Sequence, residues 1–136
     1  MLKKLLPKEI WKTKITSKIN GCFYDNELDY INFNKRFLLS QGEEFINIFK
    51  EYNQDIKTNR DYLIFCLLHE LGHRYYKGVY YNNHLTYMAF NFEYEGVDIK
   101  TKQLKYWELP NEKIAMDFAK HFFKLYKEKQ NETQKI

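Results

Sequence analysis

The amino-acid sequence predicts an α+β fold, a small and mostly antiparallel sheet packed on helices. Three observations carry the prediction. Phe45, Ile48, Phe49 and Tyr52 recur at i, i+3, i+4 and i+7, the spacing of one helix face. Cys22-Phe23-Tyr24 and Tyr30-Ile31-Asn32-Phe33 flank the turn-forming Asp25-Asn26-Glu27, the pattern of a hairpin. Between positions 59 and 76 an almost wholly apolar stretch reads as a central, buried helix. With 136 residues the chain is long enough for one core and too short for two, so a single domain over 1–136 is expected.

The elements follow in order. Residues 1–20 are a basic segment in which a short helix is expected from about Pro7, a residue tolerated in a first turn. The hairpin occupies 21–33 and a helix 42–52. For the helix over 59–76, Thr58-Asn59 offers an N-cap, and Asp61 puts a negative charge in the first turn, where the helix dipole favours it. Met88, Phe90, Phe92 and Tyr94 alternate with Ala89, Asn91 and Glu93, which favours a strand over a helix for 85–94. Gly96 would then turn the chain into a second strand ending near Trp107. A last helix starts at Pro110-Asn111 and runs to about 127, with Ala115, Ala119, Phe122 and Tyr126 as its inner stripe. Residues 128–136 are expected to fray.

Composition excludes several classes. Twelve Tyr and eleven Phe are incompatible with a disordered chain. The net charge of +4 sits at the ends: six Lys against one Glu over 1–20, and four Lys against two Glu over 124–136, leave the body slightly acidic. No basic stripe marks the body, so direct nucleic-acid binding is not expected. Leu5-Leu6 runs straight into Pro7-Lys8-Glu9, so residues 1–20 are not expected to act as a signal peptide, and the apolar run 62–68 is far short of the roughly 20 residues that span a bilayer. Two cysteines, Cys22 and Cys66, make no disulfide framework. The expectation is a reduced, cytoplasmic protein without a membrane segment.

Into the buried helix the sequence places His69-Glu70-Leu71-Gly72-His73. Histidines four apart project from one helix face and can meet one ion. Catalytic zinc takes three protein ligands and a water. Glu70, next to the first ligand, can reach that water rather than the metal, accept its proton during attack on a carbonyl, and pass the proton to a leaving amine. Burying two His and a Glu without partners would be costly. Gly72 costs roughly 1 kcal/mol in a helix interior relative to Ala, which the close approach of another element would explain.

A third ligand is required. The downstream candidates are His84, Glu93, Glu95, Asp98, Glu108, Glu112, Asp117 and His121. At about 100° per residue, Glu112 lies on the inward side with Ala115, Met116 and Ala119. Asp117 is about 140° away and His121 about half a turn, while Glu108 precedes Pro110 and falls outside the helix. Helix phase thus selects Glu112, making His69, His73 and Glu112 the metal ligands, one zinc ion the cofactor, and Glu70 the general acid/base.

The run His69-Glu70-Leu71-Gly72-His73, followed by Leu109-Pro110-Asn111-Glu112-Lys113-Ile114-Ala115-Met116-Asp117-Phe118-Ala119, resembles the ImmA/IrrE-type metallopeptidases. These are gluzincin-like proteins of bacteria, phages and integrative elements. Their second motif has a Glu, then Ala followed by Asn or Asp, then Phe-Ala. Glu112, Ala115, Phe118 and Ala119 match it in register, so the resemblance also implies Glu112 as the third ligand. The departure is Met116, where the family has the Asn or Asp that supports a histidine ligand from behind; Asp117 is adjacent, but at a different angle. The resemblance covers about 21–126 and implies a zincin-like core. It also implies that the strand at Tyr30–Phe33 is an edge that pairs with an extended substrate. The implied substrate is a cytoplasmic regulatory protein such as a phage or mobile-element repressor.

Other residues are less telling. Cys66, three before His69, is expected to pack as a small apolar residue. Tyr75, Tyr76, Tyr80, Tyr81 and Tyr87 each could polarise a scissile carbonyl, and the sequence does not choose among them. His84 is expected to be an ordinary loop residue, with the electrophile role as its alternative. Two rival functions stand beside the peptidase. One is a catalytically weak metal-binding module acting by protein–protein interaction with a transcriptional regulator. The other is a protease of DNA-bound proteins, which would require salt-dependent DNA affinity that the acidic body does not support.

Overall fold

The computed structural model describes residues 2–77 and 84–134. The elements are α1 (Leu2–Leu5), a 3-10 turn (Lys8–Ile10), β1 (Lys14–Thr16), β2 (Cys22–Asp25), β3 (Tyr30–Phe33), α2 (Lys35–Leu39), α3 (Glu43–Tyr52), α4 (Asn59–Tyr75), α5 (His84–Glu93), α6 (Ile99–Tyr106) and α7 (Pro110–Gln134). The chain is mostly helical with one small sheet, a general α+β arrangement.

α4 starts where its sequence says it should. Thr58 Oγ1 accepts the Asp61 N–H at 3.1 Å and the Asp61 carboxylate accepts the Thr58 N–H at 3.3 Å, a reciprocal cap. Lys127 on α7 reaches the same Asp61 carboxylate at 3.1 Å. The rings of Phe65 and Phe123 meet edge-on at 5.6 Å. Further along, a Cβ on Gly72 would lie 3.0 Å from Phe118 Cβ and 3.1 Å from Ala115 Cα. These three contacts make α4 and α7 antiparallel neighbours whose axes close together at Gly72. The glycine is there because a side chain would not fit. Tyr62, Phe65, Leu68, Met116 and Phe123 are fully buried along this seam, and Phe49 of α3 closes over Tyr62 and Phe65 at 5.1 and 6.3 Å between ring centroids.

The sheet differs from the expected one. Its order is β1-β3-β2, with β2 antiparallel and β1 parallel to β3, so it is mixed rather than mostly antiparallel. Tyr30–Phe33 is therefore the central strand and not an edge. β1 escaped the sequence reading because Lys14-Ile15-Thr16 is largely exposed and shows no buried alternation. The short helix expected near Pro7 is reduced to the 3-10 turn, and its Ile10 is buried. Asn32, fully buried in β3, donates to the Ile19 and Gly21 carbonyls at 2.7 and 2.9 Å, which holds the loop between β1 and β2 against the sheet.

The strands expected over 85–94 and up to Trp107 are helices. α5 buries the face of Tyr87, Phe90 and Tyr94, spaced i, i+3 and i+7, with Phe90 lying 4.6 Å from Tyr94 and 5.7 Å from Tyr106 of α6. Met88 and Phe92, the other half of the apparent alternation, are exposed. Among the described residues no strand pairs with this segment, so its backbone satisfies itself locally, as in Tyr94 N–H to Phe90 O at 3.0 Å. Asp98 caps α6 by accepting the Thr101 N–H at 2.9 Å. α7 continues to Gln134, so the stretch from 128, expected to fray, remains helical up to there. Among the described residues no helix is long and apolar enough to cross a membrane.

Candidate metal centre

The α4 spacing sets His69 and His73 one turn apart on the face that looks at the start of α7. Their rings stand edge-on at 4.8 Å, and their Nε2 atoms are 3.2 Å apart. The Glu112 carboxylate, in the first turn of α7, closes the triangle: Oε1 lies 2.9 Å from His69 Nε2 and 3.2 Å from His73 Nε2. All three donor atoms fall within 4.8 Å of one another, and His69 and Glu112 are buried.

These separations test whether a zinc ion fits. Tetrahedral bonds of roughly 2.0–2.1 Å imply ligand atoms about 3.3 Å apart. The observed 2.9–3.2 Å lies just inside that edge length, so a small outward movement would accommodate the ion. Two imidazole nitrogens facing each other at this distance cannot both donate a proton to the other. A shared cation, or a shared proton with Glu112, resolves that conflict. The donor set of two imidazoles and a carboxylate suits zinc.

The electrostatics agree with the geometry. Burial alone would raise the Glu112 pKa, but the hydrogen bonds and charges of His69 and His73 outweigh it and hold the carboxyl well below the usual range. For His73, burial pulls the pKa down, and the Glu112 hydrogen bond and charge, with Glu70, push it up further, so the net direction is upward. Glu70 lines the same cavity, of about 490 Å³, beside both histidines. Its pKa is raised, first by burial and also by the Glu112 charge, against the lowering pull of the histidines and, least, of the nearby Tyr24 backbone N–H. A carboxylate of raised basicity at this position is suited to taking a proton.

Compared with known proteins, the chain matches no family model, no curated protein and no solved structure.

The site stands on its own atoms, a buried His/His/Glu cluster consistent with a zincin-like metal site. Of the sequence candidates, the structure brings together His69, His73 and Glu112, with Glu70 alongside. Glu93, Glu95, Asp98, Glu108, Asp117 and His121 are exposed and take no part. Asp117 points outward while Met116 is fully buried, so Asp117 does not replace the missing polar support. His69 Nδ1 is buried and has no hydrogen-bond partner among the described residues. Tyr80 and Tyr81 lie outside the described residues, as does the side chain of His84.

Of the described tyrosines, Tyr87 is the one the structure singles out. Its hydroxyl donates to Glu112 Oε2 at 2.8 Å, and the Tyr106 hydroxyl, pushed up by burial and by the Glu112 charge, lines the same cavity. Three further residues of the cavity were not found from sequence: Tyr106, Tyr24, and Cys22, whose Sγ lies 3.9 Å from Glu70 Oε2. Tyr106 carries no local signal in the sequence. The other two belong to β2, a sheet edge set against α4, and nothing in the chain states which strand edge faces which helix. Behind β2, the Tyr24 hydroxyl donates to Asp29 at 2.8 Å, and Arg74 of α4 grips the same carboxylate at 3.0 and 3.2 Å. That network ties the hairpin to the helix carrying the histidines.

Proposed function

We propose that the chain is a zinc-dependent peptidase of the ImmA/IrrE-like type. In this reading His69, His73 and Glu112 hold one ion and Glu70 is the general acid/base. The observation that carries it is the convergence of two Nε2 atoms and a carboxylate, each within 3.2 Å of the others, beside a fourth residue able to handle a proton. When bound, zinc supplies a Lewis acid that polarises the scissile carbonyl and lowers the pKa of water to about 7. Glu70 takes the proton of the attacking water and returns it to the leaving amine. Tyr87 holds Glu112 from behind. Of the two sheet edges, β1 and β2, it is β2 that lines the cavity, so β2 rather than the central β3 is the edge offered to an extended substrate. The motif resemblance supports a cytoplasmic regulatory protein, such as a phage or mobile-element repressor, as the substrate, and the slightly acidic body of the chain supports no nucleic acid as a direct partner.

The test is elemental analysis of the purified protein together with cleavage of candidate repressors by wild type and Glu70→Gln. One zinc per chain in both proteins, with cleavage only by the wild type, is expected. Cleavage that survives Glu70→Gln or chelation refutes the proposal.

A second reading has one observation in its favour. His69 Nδ1 lacks a partner among the described residues, and buried Met116 offers none, which suits a catalytically weak metal-binding module that acts by contact with a transcriptional regulator. Equal relief of repression by wild type and Glu70→Gln would select it.

A further inference from the structure

α5 is covered on one face only. On its inner side Tyr87 meets Tyr106 at 5.9 Å between ring centroids and donates to Glu112 at 2.8 Å, and buried Phe90 lies 5.7 Å from Tyr106. On its outer side Leu85, Met88 and Phe92 stay 74%, 54% and 83% exposed, with exposed Ala89 among them. Their spacing of i, i+3, i+4 and i+7 makes one continuous stripe. From Leu85 to Phe92 the helix carries no charged residue, whereas the solvent face of a surface helix is ordinarily polar and charged. Single exposed apolar side chains are common, but a contiguous patch of them marks an interaction surface. Nothing among the described residues covers this one.

We propose that a second copy of this chain covers the stripe, with α5 packed antiparallel on α5 about a two-fold axis. The inference goes beyond the peptidase reading and does not depend on it. The stripe has the same spacing read in either direction, which a two-fold interface requires. With the axis between positions 88 and 89, Leu85 meets the partner's Phe92 and Met88 meets the partner's Ala89. At the centre a long side chain thus faces a short one, which lets the helices close to the roughly 8–10 Å of packed pairs. A charged partner gains nothing on an uncharged face, whereas a second copy brings a matching one. Area sets the strength. The three large side chains offer on the order of 400 Å² per copy, about half of the roughly 800 Å² per partner in a stable complex. The dimer is therefore weak and concentration-dependent, with a Kd on the order of 10–100 µM. It secures from outside the helix whose inner side holds Tyr87 against Glu112.

The experiment is sedimentation equilibrium of the full zinc-loaded chain from about 1 to about 500 µM, for wild type, Leu85→Lys, Phe92→Glu and an equal mixture of the two variants. Wild type is expected to pass from monomer to dimer across this range. Each variant alone should weaken the dimer about tenfold or more. The mixture should regain it, because the new ammonium faces the new carboxylate on one side of the axis and the native Leu85–Phe92 contact remains on the other. Zinc stoichiometry and helical circular dichroism are the folding controls, and the wild-type series stands whatever the variants do. Wild type that stays monomeric throughout overturns the proposal. So does a dimer that both variants leave intact, and so does a loss in both that mixing does not restore. Monomeric protein that instead floats with phosphatidylglycerol vesicles, and ceases to do so in Phe92→Glu, assigns the stripe to a lipid surface and also overturns it.

Discussion

Gly72→Ala tests how the metal cluster depends on the approach of two helices. An added Cβ would meet Phe118 Cβ at 3.0 Å and Ala115 Cα and O at 3.1 Å, and two of these three atoms are backbone. No rotamer change relieves a backbone contact, so α4 and α7 must separate by several tenths of an ångström at a seam that is fully buried. In an isolated helix the substitution would gain roughly 1 kcal/mol from propensity. Overpacking of a close-packed core costs about 1–3 kcal/mol, and with backbone in the way the upper part of that range applies. The expected net loss is about 1–2 kcal/mol, a fall in Tm of roughly 3–7 °C for a chain of this size. The same displacement carries Glu112, one turn before Ala115, away from His73, so zinc affinity falls with stability. Urea unfolding of the metal-free protein and a competitive zinc titration measure the two effects. A variant as stable as the wild type, with unchanged zinc affinity, would show that the close approach does not set the site.

Met116→Asn places an amide in the turn of α7 behind His69; if it reaches the orphaned Nδ1, zinc affinity rises about tenfold or more, and unchanged affinity in a competition titration counts against that placement. Zinc must displace the proton that Glu112 favours on His73. Because that pKa is raised above its ordinary value, apparent affinity should fall on acidification starting above the usual histidine range, about tenfold per pH unit for one proton; a flat profile between pH 8 and 6 contradicts this. Asp29, held by Tyr24 first and by Arg74 and Lys77, has its pKa lowered to about 2. A depressed carboxylate stabilises the fold above its unfolded pKa, near 4, and loses that contribution as pH falls towards 2. Asp29→Asn should therefore flatten the stability profile in this window, and urea midpoints at pH 5 and pH 3 that shift in parallel with wild type would refute the assignment.

Some of the site was legible because its signals are local. A Thr-x-x-Asp cap begins α4, two histidines share its face by spacing, and a glycine in a buried helix announces a close neighbour; each depends on residues within a few turns. Glu112 came from the phase of a second helix, which is again a local property. The helices α5 and α6 were missed because Phe90 and Tyr94 belong to the period of two and the period of 3.6 alike. Only the presence or absence of a strand alongside decides between them. The cap at Asp98 was a readable sign of α6 that the alternation overshadowed.

The sequence by itself determined a helix bearing His69, Glu70 and His73, a partner helix bearing Glu112 on its inner face, and a hairpin at 22–33. Chain connectivity within an element sets those positions, so residue spacing suffices. Tertiary structure alone decided that β3 is central and β2 an edge, that Cys22 meets Glu70, that Tyr87 meets Glu112, and that His69 Nδ1 has no partner among the described residues. Each of these joins residues from elements distant in the chain. Their meeting follows from how the whole core packs, which no window of the sequence contains.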